Sequence, residues 1–74
     1  MKTKKERVLE VNWANGGGMT SFPKLKAKSM ILDEERNMLT FAYGGDAGKR
    51  LIASININNV KWFEIITTTV LVSD

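Results

Sequence analysis

The chain has 74 residues, 43% of them hydrophobic, with 11 Lys and Arg against 8 Asp and Glu, and it contains neither Cys nor His. A chain of this size makes one domain that buries only about 60% of its unfolded surface, and its composition excludes disulfides and the usual nitrogen and sulfur ligands of transition metals. Of the devices that stabilise small domains, self-association is the one left open, so it is expected here, and no cofactor or metal site is.

The formal charge of +3 is unevenly placed. Residues 1–7 hold Lys2, Lys4, Lys5 and Arg7 against Glu6, whereas the remainder balances seven basic residues with seven acidic ones. Residues 1–7 are therefore expected to form a flexible basic tail and residues 8–74 a single, neutral domain, which ranks nucleic acid below protein as the expected partner. No apolar run approaches the roughly 20 residues of a membrane-spanning helix, and none follows the N-terminal lysines as in a secretory signal. The expectation is a soluble, cytoplasmic protein with no membrane partner.

In chain order, residues 7–14 alternate as a strand, with Leu9, Val11 and Trp13 on one face, before Asn15, Gly16, Gly17 and Gly18 make a turn. Pro23 opens a second strand over residues 24–32, in which Lys24, Lys26 and Lys28 share a face. Asp33, Glu34, Glu35, Arg36 and Asn37 read as a hairpin connection, since Asp suits the first position of a type I turn and Asn tolerates the left-handed residue that closes one. A short helix over residues 33–38 is the alternative.

Residues 38–43 form a strand with Leu39, Phe41 and Tyr43 on one face. A Gly-rich connection then leads to a strand over residues 51–57 that aligns Leu51, Ala53, Ile55 and Ile57. Asn58 and Asn59 supply a turn or bulge before residues 60–66. Residues 65–72, Ile-Ile-Thr-Thr-Thr-Val-Leu-Val, carry no charge, Gly or Pro. Such a tract templates aggregation on an exposed edge, so it is expected either inside the domain or, by preference, at a subunit interface. The fold class is all-β: five to six antiparallel strands in a small barrel or sandwich, completed if need be by a second subunit.

Motifs carry little chemistry. Residues 44–50, GGDAGKR, fail as a phosphate-binding P-loop, because the first glycine of that motif would fall on Tyr43 and its hydroxyl residue on Arg50. Successive amides beside Lys49 and Arg50 still make an anion site conceivable. Without His or Cys the commonest general base and the most reactive nucleophile are missing, and the close carboxylates Asp33, Glu34 and Glu35 fall in a turn, so no enzyme is expected.

The leading expectation is thus a non-catalytic binding or adaptor module, homo-oligomeric, that recognises another macromolecule, first of all protein. Its surface would include Trp62 and Phe63, which as neighbours in a strand point to opposite faces, together with Val70 and Val72. The alternative is nucleic-acid binding by the N-terminal lysines with Lys24, Lys26, Lys28, Lys49, Arg50 and Trp13 as a stacking ring.

Overall fold

The computed structural model describes residues 2–45 and 50–72. Among them lie six strands: β1 (Lys2–Trp13), β2 (Met19–Phe22), β3 (Lys26–Asp33), β4 (Met38–Tyr43), β5 (Leu51–Asn56) and β6 (Val60–Val72), the last two joined by a 3-10 turn over Ile57–Asn59. They form two antiparallel three-stranded sheets, β2-β1-β6 and β3-β4-β5, packed as a sandwich and not closed into a barrel. The all-β expectation holds, in its sandwich form.

Alternation along the strands explains the packing. Leu9 and Val11 of β1 are fully buried, and they meet Phe41, Leu39 and Ile55 from the inward positions of β4 and β5. Phe22 of β2 sits edge-on to Phe41, with ring centroids 5.0 Å apart, and edge-on to Tyr43 at 5.1 Å. One aromatic cluster therefore ties one sheet to the other.

The turns follow the residues that demand them. Asp33 Oδ1 accepts the amides of Glu35 and Arg36 at 3.1 and 3.2 Å, and Asn37 closes the turn at φ 53°, as its side chain permits. A turn, not a helix, occupies this segment. Before β6, Asn56 Oδ1 accepts the amide of Asn58 at 2.9 Å and caps the 3-10 turn.

Three expectations are corrected. Residues 2–7 are not a loose tail. They continue β1 and pair with β6 from Lys2↔Val72 to Arg7↔Thr67, because the backbone of an uncharged tract at the end of a 13-residue strand needs a partner along its length. Residues 60–66 and 65–72 are accordingly one strand, and Met19–Phe22 is a short strand that the polar residues Thr20 and Ser21 concealed in the sequence.

Lys24, finally, is outside β3, at φ 53° in the corner where the chain passes between sheets. That corner is held from both sides: the Leu25 amide donates to the Arg7 carbonyl and the Gly44 amide to the Pro23 carbonyl, each at 2.8 Å. Gly44 and Gly45, at φ 62° and 83°, take the left-handed backbone that lets the end of β4 turn beneath it.

The molecule is elongated, 44 × 24 × 15 Å, with a radius of gyration of 13.7 Å. A compact chain of this length would have about 11 Å. The difference follows from the pairing: β2 covers β1 only between Leu9 and Asn12, so the first half of β1 and the last half of β6 run on as a two-stranded ribbon.

Candidate functional site

The ribbon, the corner and the start of β3 bring basic residues together, with Lys5 and Arg7 on the core-facing side of β1 and Lys4 on the other. One hollow of about 460 Å³ is lined by Lys4, Lys5, Glu6, Arg7, Lys24, Leu25, Lys26 and Gly45. A second, of about 450 Å³, is lined by Arg7, Lys26, Ala27, Lys28, Ser29 and Arg50. Arg7 and Lys26 border both, so the two hollows adjoin and together are called the cleft.

Its charge is strongly one-sided. Of ten described Lys and Arg residues seven line the cleft, whereas of six described acidic residues only Glu6 does. Among the described residues the lining thus carries seven positive charges and one negative. Glu6 Oε1 lies 3.7 Å from Lys4 Nζ, which partly offsets one of the seven. The acidic turn residues Asp33, Glu34 and Glu35 lie at and beyond the other end of β3. There Asp33 pairs with Met38, four β4 steps from the Ala42 partner of Lys26, about 13 Å by strand rise and beyond a Debye length of about 8 Å at physiological salt.

A bulge in β3 shapes the cleft floor. Between the pairs Lys26↔Ala42 and Ile31↔Thr40 the chain takes five steps along β3 against two along β4, so three residues are extra. Ser29 repairs the gap: its hydroxyl accepts the Ala42 amide at 2.7 Å and donates to the Lys26 carbonyl at 2.5 Å. The bulge turns Ala27 and Met30 toward the core and leaves Lys26 and Lys28 exposed.

The predicted site residues divide accordingly. Lys24, Lys26, Lys28 and Arg50 converge on the cleft, while Lys49 lies outside the described residues. Trp13 does not join them. It is partly buried against the core, its Nε1 donates to Thr20 Oγ1 at 2.7 Å, and it does not line the cleft.

Lys4 and Lys5 belong to the N-terminal lysines of the nucleic-acid alternative, but they were expected in a tail and lie in β1; Arg7 is the cleft residue that the sequence reading did not name. The available signal was the neutral tract at residues 65–72, which needs a pairing strand as long as itself.

Trp62 and Phe63 do alternate, Trp62 beside Asn12 and Phe63 beside Val11 on the core-facing side. Neither is buried, at 40% and 43% exposed. Val70 and Val72 are half-buried on the face opposite Leu71, which is 70% exposed.

Among the described residues no three acidic side chains gather to hold a cation, and no helix is long and apolar enough to cross a membrane. Comparison of the chain with protein-family models, with curated proteins and with solved structures finds no match.

Proposed function

We propose that this protein binds the phosphate backbone of duplex nucleic acid through the cleft between β1 and β3, without catalysis. The observation that supports this reading is the gathering of Lys4, Lys5, Arg7, Lys24, Lys26, Lys28 and Arg50 about a cleft in which Glu6 is the one carboxylate among the described residues. With the N-terminal lysines part of the fold, the argument from a neutral body no longer ranks nucleic acid second.

Chemistry also favours the backbone over the bases. Phe22, Phe41 and Tyr43 are spent on one another in the core, and Trp62 pairs with Asn12 at the opposite end of the long strands from Lys4 and Lys5. With no aromatic among the described residues that line the cleft, base stacking has no platform on them, and charge alone gives sequence-independent contacts to phosphate. Ser29 is engaged on both sides and Glu6 faces Lys4, so neither is poised as a nucleophile or base.

The test compares two double variants of equal net charge by fluorescence anisotropy on a random-sequence DNA duplex of about 20 base pairs, long enough to span the molecule. Lys5→Glu with Lys26→Glu reverses the charge at the cleft, and should weaken binding by roughly 100-fold. Arg36→Glu with Lys61→Glu changes the net charge as much but lies outside the cleft, and should cost less than about fivefold. Equal losses would assign binding to overall charge and overturn the proposed site.

A further inference from the structure

Among the described residues, the sheet order β2-β1-β6 gives β6 a neighbour on one side only. Its other edge presents a row of backbone donors and acceptors along an uncharged stretch, beside a ribbon of just two strands. Two-stranded ribbons are marginal in water, and a long apolar edge is a template for another strand.

We infer that the occupant of this edge is a second copy of the chain, with β6 pairing antiparallel to its counterpart about a two-fold axis at Thr68. The residues around that point are chemically palindromic. Antiparallel pairing about Thr68 sets Ile65 against Leu71, Ile66 against Val70, Thr67 against Thr69 and Thr68 against itself.

Every such pair joins like with like and keeps both members on one face of the joined sheet, as a two-fold axis normal to that sheet requires. A foreign strand has no reason to match this order. No charge is brought against a like charge, because the tract has none.

Area points the same way. The molecule exposes 5535 Å², whereas a compact monomer of its mass would expose about 4,600 Å². The excess of roughly 900 Å² is spread over the whole elongated chain, the ribbon included, and a standard stable interface takes ~800 Å² from each partner.

Pairing would form one six-stranded sheet, with the two β1 strands about 14 Å apart across it. That spacing exceeds a Debye length of about 8 Å, so the lysines of the two copies do not oppose assembly at physiological salt. The inference rests on β6 alone and stands or falls independently of nucleic-acid binding.

The native chain has no cysteine, so single-cysteine variants report register cleanly. Opposed residues in an antiparallel pair have Cα atoms about 4.5–5.5 Å apart, within the span of a disulfide. Light scattering should give twice the 8.3 kDa chain mass for the native protein, and Thr68→Cys should oxidise to covalent dimer far faster than Ser54→Cys, which lies on β5. Thr68→Lys, which sets two ammonium groups at the axis, should weaken the dimer at least about tenfold while a folded circular-dichroism spectrum is retained. A native monomer at all concentrations tried, or a dimer in which Thr68→Cys and Ser54→Cys cross-link equally slowly, would overturn the inference.

Discussion

Phe41→Ala should remove a large part of the stability of this protein. Phe41 is 1% exposed at the centre of the sandwich, edge-on to Phe22 of the other sheet and tilted against Tyr43 at 6.0 Å. Truncating a buried Phe costs about 3–5 kcal/mol, against a total of about 4–11 kcal/mol for a domain of this length. In a domain of this size the loss corresponds to a fall in Tm of at least about 12 °C. Ile52→Ala, at a site 74% exposed, should stay within about 0.5 kcal/mol of the native protein. Thermal unfolding followed by circular dichroism reads both. The effect extends to the cleft, because Phe22 immediately precedes the Pro23–Lys24–Leu25 corner; a variant that keeps its Tm would mean that the two sheets are not joined through Phe41.

Affinity for duplex DNA should fall steeply with salt. Each phosphate neutralised by Lys or Arg releases condensed counterion, and log K changes with log salt at about −0.9 per contact on B-form DNA. If four or five of the seven cleft cations reach phosphates, the slope is about −4, and raising salt from about 50 to 200 mM weakens binding by roughly 100- to 1,000-fold. A site that reads bases through apolar or stacking contacts would give a much shallower slope. Anisotropy titrations over a series of salt concentrations measure it, and a slope shallower than about −1 contradicts a phosphate-gripping cleft.

Much of the fold was legible in the sequence because its signals are local. The alternation of Leu39, Phe41 and Tyr43, the Asp33 and Asn37 signature of the β3–β4 turn, and the glycines after Trp13 each specify their own segment. Three features were not legible, because each depends on a distant partner.

The strand character of residues 2–7 comes from the edge of β6 that they cover, about 60 residues or more away along the chain, and not from the charged side chains themselves. The short β2 is held by Leu9↔Phe22 and its three neighbouring pairs to β1. The corner at Lys24 is fixed by the bonds of its neighbours to Arg7 and Gly44. These same long-range pairings assemble the cleft, so its residue types were visible in the sequence while their convergence was not. Residues 2–7 were misplaced for one physical reason: a basic segment was set outside the fold when its backbone had a partner within it.

The most direct test of the cleft is chemical-shift mapping of the 15N-labelled protein as the same DNA duplex is added. The cleft reading predicts that the amides of Lys4, Lys5, Arg7, Lys26, Lys28 and Arg50 move most, while those of Arg36, Asn37 and Trp62 stay in place. Largest changes around Trp62 and Phe63, or none at low salt, would contradict it.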